Sequence, residues 1–433
     1  MKKILFMLVA VLGMTTMSTF SYAQSTPKEL KKATSLARRV VKDAKEELAK
    51  LNEGGKLENV KKMVDQATAN ELTKDWSETW SVAGDVYQRL YLAENRKSYN
   101  AGVPYDTVAM YDYLIKMYDY FIKCDSLEQI PNEKGKTSTA CRDRYASSLD
   151  ANRNNLINGG IFYFNSKKNY KKAYDMFEKY YQIAETPMLK SYTEDNEQYK
   201  EYAIQFAYFP TLAAFQMGDY QKVLKYVDMG IEDPENGETC LRFKCQAYEN
   251  LKDSANWIKS LQEGIMKFPT QDYYYMQLII YYDSTGKIGE METFVEDMVK
   301  KDPNKAYNYY VIGYLRQSQK KYADAASQYE IAIEKDPELT EAYINLGLCY
   351  INEANEYIDS KPNVNYRSAE GQKVLETEKG YYRKAMPLFE KVRQTMPDEI
   401  DKWGIQLYSI YYKLNMTKEL TDIEKVLKSA GLL

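Results

Sequence analysis

Apolar and small residues recur along this chain at three-and-four spacing, and the pattern itself returns every 34 residues. Tyr309, Ile312, Gly313 and Arg316 fall on one helical face, and Tyr322, Ala325, Tyr329 and Ala332 on another a few residues later. That spacing stacks side chains along one side of an α-helix, so 302–337 predicts two helices closed by Pro337. Pro269, Pro303 and Pro337 stand at intervals of 34, as do Tyr275, Tyr309 and Tyr343, and Leu278, Ile312 and Leu346. Gly218, Lys252 and Gly286 hold the turn position between two helices, and the register persists from about Ile204 to Gly347.

Other units follow the same pattern with changes of length. Leu57, Val60, Val64 and Ala67 have second-helix spacing, and Trp80, Ala83, Gly84 and Tyr87 suit a first helix whose partner comes only at Met117, Phe121 and Cys124. Measured against Gly313 to Ala325, that unit carries about 21 inserted residues. Tyr170, Ala173, Phe177 and Tyr180 close another unit. Tyr343, Leu346, Gly347 and Tyr350 open one that Ala385, Phe389, Val392 and Pro397 finish after about 26 extra residues. Both insertions are expected to lengthen helices and add loops, since they hold the Asn, Gly, Pro and Ser of turns. Trp403–Asn415 and Thr417–Ser429 read as a closing helix pair.

The 309–337 series resembles the tetratricopeptide repeat (TPR): a large aromatic, Leu-Gly, an aromatic, Ala, an aromatic, Ala and Pro. Here those places hold Tyr309, Ile312-Gly313, Arg316, Ala325, Tyr329, Ala332 and Pro337, and Arg316, the one clear departure, is expected to loosen local packing. The resemblance implies an all-α, right-handed superhelical α-solenoid of helix pairs with two insertions and a C-terminal capping pair. Units that cannot bury their apolar face alone stack on their neighbours. The expected organisation is residues 1–23 as a signal peptide and 24–203 as N-terminal repeats with an insertion at about 92–112. Regular 34-residue units follow at 204–339, then a C-terminal repeat and cap at 340–433 with an insertion at about 354–379.

In TPR proteins the first helices line the concave groove that receives partners. By position, the resemblance places Tyr273, Met276, Ile280, Tyr307, Tyr310, Tyr314, Ile344 and Leu348 there. Tyr307, Tyr310 and Tyr314 form a stripe roughly opposite Tyr309, which is assigned to the fold. The groove is therefore expected to be aromatic and apolar, without the Lys, Arg and Asn that chaperone-binding members use to clamp a carboxylate. Two readings of the stripe stay open: a docking surface for a hydrophobic peptide or amphipathic helix, or rings filled by a neighbouring helix.

Composition narrows the function. The chain has no histidine, which removes the usual base near neutral pH and the commonest metal ligand. No phosphate loop, nucleophile elbow or zinc spacing is present. No catalytic, cofactor or metal residue is assigned, and no enzyme activity is expected. Asp233–Glu238 lacks the acidic spacing of a calcium loop and reads as an inter-repeat turn. A net charge of −3 with interspersed signs gives no electrostatic case for nucleic acid. The five cysteines read mostly as small core residues; Cys124 and Cys141 flank a loop and could pair.

The N-terminus has Lys2 and Lys3, an apolar run over Ile4–Leu12, and Ser21-Tyr22-Ala23, the pattern of a secretory signal peptide cut after Ala23. Gln24 in place of Cys disfavours a lipid anchor, and no later stretch is apolar enough to span a membrane. Four short motifs resemble Bacteroidota O-glycosylation sites, with acceptors Thr107, Ser126, Ser254 and Ser284; Asp-Ser and Asp-Thr also favour turns and helix caps. The whole chain resembles exported TPR proteins of that phylum. The expectation is a periplasmic or envelope scaffold that binds a protein or peptide partner, with glycan binding by tyrosine stacking as the alternative.

Overall fold

A computed structural model describes residues 26–51 and 57–433. The expected signal peptide, residues 1–23, lies outside them. Every regular element among the described residues is a helix. Two compact units are present, one ending at Lys252 and one running from Asp253 to Leu433.

The first unit holds α1 (Pro27–Lys50), α2 (Glu58–Ala69), α3 (Ser77–Ser98), α4 (Thr107–Glu128), α5 (Ala140–Asn152), α6 (Asn154–Asn165), α7 (Tyr170–Ala184), the single turn α8 (Lys190–Thr193), α9 (Glu197–Phe206), α10 (Tyr208–Met217), α11 (Tyr220–Gly230) and α12 (Gly237–Asn250). The second holds α13 (Ser254–Lys267), α14 (Asp272–Ser284), α15 (Ile288–Lys301), α16 (Ala306–Ser318), α17 (Tyr322–Lys335), α18 (Thr340–Asp359), α19 (Ala369–Thr395), α20 (Ile400–Leu414) and α21 (Thr417–Ser429). In the second unit each helix packs on the next, the row of antiparallel pairs that defines an α-solenoid.

The 34-residue register is structural. Val223, Trp257, Met291 and Ala325 are all buried, and so are Val227, Leu261, Val295 and Tyr329, one turn further along the second helices. Gly218, Lys252, Gly286 and Lys320 all have positive φ, from 57° to 69°. Each ends a first helix in the left-handed conformation that reverses the chain. The following residue begins the next helix: Asp219 and Asp253 cap it by accepting from Lys222 N (3.2 Å) and Asn256 N (3.2 Å).

Within a pair, the first-helix glycine receives an aromatic ring. A Cβ at Gly313 would meet the Tyr329 ring, and one at Gly84, Gly160 or Gly347 would meet Phe121, Phe177 or Phe389. Gly84 and Phe121 are 37 residues apart and Gly347 and Phe389 are 42, against 16 for Gly313 and Tyr329. The added residues extend both helices of their pair, as expected: α3 and α4 have 22 residues each, α18 has 20 and α19 has 27. The closing pair is α20 and α21, with Trp403, Leu407, Ile410, Ile423 and Leu427 in one cluster.

Tyrosine is the main large core residue. Among the described residues, ten of the twelve largest fully buried side chains are tyrosines, so its abundance serves packing first. Some of their hydroxyls find acceptors, as Tyr87 does on Asp65 (2.6 Å) and Tyr118 on the Leu149 carbonyl (2.5 Å), while those of Tyr91 and Tyr180 are buried without one.

Two expectations are corrected, for Arg316 and Ser126, and one open pairing is resolved. Arg316 does not loosen its unit: its guanidinium reaches Glu292 (3.2 Å) and Glu296 (3.9 Å) on α15, an ion pair between neighbouring repeats. Cys124 and Cys141, which flank a loop and could pair, form a disulfide across 17 residues, and Cys240, Cys245 and Cys349 are buried as small core residues. Ser126 is not in a turn but in the last turn of α4, beside a buried Asp125 that pairs with Arg142 (2.9 Å).

Candidate interaction face

One aromatic face in the second unit is built by α14, α16 and α18, the first helices of three consecutive repeats. Its rings include Tyr275 from α14 and Tyr307 and Tyr310 from α16, whereas the neighbouring Tyr274 turns away and seats on Gly264 of α13. The rings do not stand apart. Tyr275 packs on Tyr307 at 5.0 Å between centroids, Tyr307 on Tyr310 at 5.1 Å, and Tyr310 on Tyr329 at 5.7 Å. This continuous line runs from α14 across α16 into α17. Tilted and offset ring pairs at such distances add to the area each ring buries.

Polar atoms lock the line in place. Tyr329 donates to Gln317 Oε1 (2.6 Å), Asn345 Nδ2 donates to the Tyr310 hydroxyl (3.1 Å), and Tyr275 donates to Asn308 Oδ1 (3.4 Å). Burial pushes the Tyr310 and Tyr329 phenols well above the ordinary tyrosine value. At the edge of the same face the Asp272 carboxyl is raised, first by burial and then by the nearby Glu341.

The eight groove positions therefore differ in what they offer. Tyr307 is buried, filled by Tyr275 and Tyr310. Tyr310 is half-buried at the edge of the Ala325–Tyr329 cluster. Ile344 and Leu348 pack against the cluster of α19, α20 and α21. Tyr273, Met276 and Tyr314 are half-buried, and Ile280 is 56% exposed. Tyr309, assigned to the fold, packs against the Ala325–Tyr329 cluster; it is half-buried, donates to the Pro303 carbonyl (3.0 Å) and lies under Lys335. Of the two neighbours, Tyr307 is the deeper. Tyr275 and Tyr307 are 32 residues apart and touch diagonally, a contact the 34-residue register does not name.

The glycosylation motifs are dispersed. Asp106 and Asp253, the aspartates before Thr107 and Ser254, are helix N-caps. Thr107 is half-buried at the start of α4; Ser126, Ser254 and Ser284 are exposed. Ser126 and Ser284 donate to the Lys123 and Tyr281 carbonyls of their own helices (2.9 Å each). Asp233 is engaged in its turn, accepting from Asn236 N (3.1 Å) and Nδ2 (2.8 Å). No helix among the described residues is long and apolar enough to cross a membrane.

No family model matches the chain, and no curated protein matches it. Solved structures similar to it include TPR repeat proteins. Naa15/Naa10 bound to HypK-THB aligns at 14% identity with a TM-score of 0.38, covering 93% of this chain. This chain spans 61% of that one. A TPR repeats protein from Bacteroides fragilis aligns at 18% identity and a TM-score of 0.32, over 59% of this chain and 96% of that one. The C-terminal part of a TPR repeat-containing protein from Cytophaga hutchinsonii gives 14%, 0.35, 66% and 94% for the same measures. The assignment of a helical-repeat fold rests on the register and packing described above.

Proposed function

We propose that this protein is a non-catalytic adaptor that binds a protein or peptide partner through the first-helix face of α14, α16 and α18. We place it in the periplasm or cell envelope, following removal of residues 1–23. The observation that carries the binding reading is the exposed apolar Ile280, with half-buried Tyr273 and Met276 on its own helix and Tyr314 on α16, together with the line of packed tyrosines. Tyr307 and Tyr310 are held by rings on both sides, so little side-chain freedom is left for a partner to freeze. A rigid aromatic base with an apolar edge suits an extended hydrophobic segment or one face of an amphipathic helix.

The test uses Ile280→Ala combined with Tyr314→Ala, which spares the buried ring line. Cross-linking and co-purification from the envelope fraction should recover a specific partner with the parent chain and lose it with the variant, at unchanged helical circular dichroism. Recovery of the same partner by the variant would remove this face from the proposal. Absence of the parent chain from the envelope and periplasmic fractions would remove the location.

A further inference from the structure

The end of α4 and the start of α5 bring three ligand-bearing side chains together. Cys124 and Glu128 are four residues apart on α4, which sets them on one helix face a turn apart. Cys141 lies in the first turn of α5. One ligand atom from each of the three lies within 4.8 Å of the other two. Both cysteines are buried and Glu128 is half-buried, so the cluster has one side toward solvent.

The intervening loop holds this geometry by bonds that do not involve sulfur. Ser138 N donates to the Glu128 carbonyl (2.9 Å), Gln129 Nε2 to the Ser138 carbonyl (2.8 Å), and Cys141 N to Glu128 Oε2 (2.8 Å). The Ser138 hydroxyl also points at Oε2, at 3.3 Å. These contacts fall on the backbone and on Glu128 Oε2, and none of them uses sulfur to join the end of α4 to the start of α5.

We propose that the reduced form of the Cys124–Cys141 pair, together with Glu128, binds one thiophilic divalent cation of the zinc type. A dithiol reductant supplies two electrons and two protons, closes its own disulfide and leaves two thiols here. The cation then displaces one proton from each thiol and takes the two thiolates and the Glu128 carboxylate as ligands. Metal–sulfur and metal–oxygen bonds of about 2.3 and 2.1 Å place such ligand atoms about 3.5–4 Å apart, so the two sulfurs, bonded in the oxidised form, must part by roughly 2 Å on reduction to take up the cation. Two thiolates disfavour calcium and magnesium, and the open side of Glu128 supplies the fourth position from water. Oxidation returns both electrons to an acceptor disulfide, forms the Cys124–Cys141 bond and expels the cation, so bond and metal are alternative states of one site.

The test is a cobalt(II) titration of the full chain, reduced with a phosphine and desalted without oxygen, beside the oxidised chain. Reduced protein should develop a thiolate-to-cobalt charge-transfer band that saturates at one equivalent and is bleached by zinc. Oxidised protein should show none. Glu128→Gln keeps an oxygen acceptor for Cys141 N and should weaken cobalt binding about tenfold or more. Cys141→Ser, with Cys240, Cys245 and Cys349 intact, should abolish the one-equivalent band. Absence of the band in reduced, folded protein, its survival in Cys141→Ser, or equal affinity in Glu128→Gln would each overturn the proposal.

Discussion

Gly313 and Tyr329 share one space: a Cβ at position 313 would lie 2.7 Å from the Tyr329 ring, and that ring is fully buried. Alanine is favoured over glycine in a helix interior by about 1 kcal/mol, but overpacking a filled core costs about 1–3 kcal/mol. The buried ring cannot retreat without losing its bond to Gln317, so the clash prevails. Gly313→Ala should lower the thermal midpoint, while Gly380→Ala, where a Cβ meets nothing within 4 Å, should raise it. Paired calorimetric scans of the two variants check the opposite signs.

Lys320 adopts φ of 59° at a place where Gly286, one repeat earlier, has 69°. A side chain in the left-handed region costs about 1–2 kcal/mol, offset in part by the greater freedom glycine gives the unfolded chain. Lys320→Gly should therefore stabilise by up to about 1 kcal/mol, and Gly286→Ala should destabilise by a similar amount. Urea unfolding at constant m-value measures both.

Alkali should unfold the protein cooperatively. Burial pushes Tyr111 up to about 12 and raises Tyr118, Tyr181 and Tyr329 further. In the unfolded chain these phenols ionise near ~10, so above that pH the unfolded state holds fewer protons than the folded one. Stability is thus complete below about pH 10 and lost as pH rises toward the folded values. Phenolate absorbance from the buried rings should appear together with loss of helical circular dichroism. A rise in that absorbance at constant helicity would contradict the assignment of these rings to the core.

Closing a loop of 17 residues by Cys124–Cys141 should stabilise the first unit by about 3 kcal/mol. Cys124→Ser with Cys141→Ser should lower that unit's thermal midpoint, by about 2–4 °C for each kcal/mol lost in a unit of this size. The second unit, whose Cys349 is unpaired with sulfur, should keep its midpoint under reductant. Calorimetry with and without reductant separates the two transitions.

The helices and their pairing were legible because a fixed period constrains many positions at once: the buried series from Val223 to Tyr329 and the turn from Gly218 to Gly286 sit where the 34-residue register puts them. The face was harder to read. Periodicity assigned Tyr309 to the fold and left open whether Tyr307 is covered; Tyr307 is the deeper of the two, because a ring 32 residues away on the preceding repeat covers it. Arg316 looked like a packing fault since its partner Glu292 lies on the neighbouring unit. The Cys124–Glu128–Cys141 cluster depends on the path of one irregular loop, which no periodic signal encodes.

The enlarged pairs α3–α4 and α18–α19 keep the glycine–aromatic seat of the ordinary pair although their chains travel more than twice as far between its two halves. The seat is satisfied locally, so it sets the phase of a repeat and not its length. Each enlarged pair is in effect a two-stranded arm anchored at its base, with tips at 99–106 and 360–368. Recognition segments gained or exchanged at those tips would change the reach of the protein and leave the count of its repeats undisturbed.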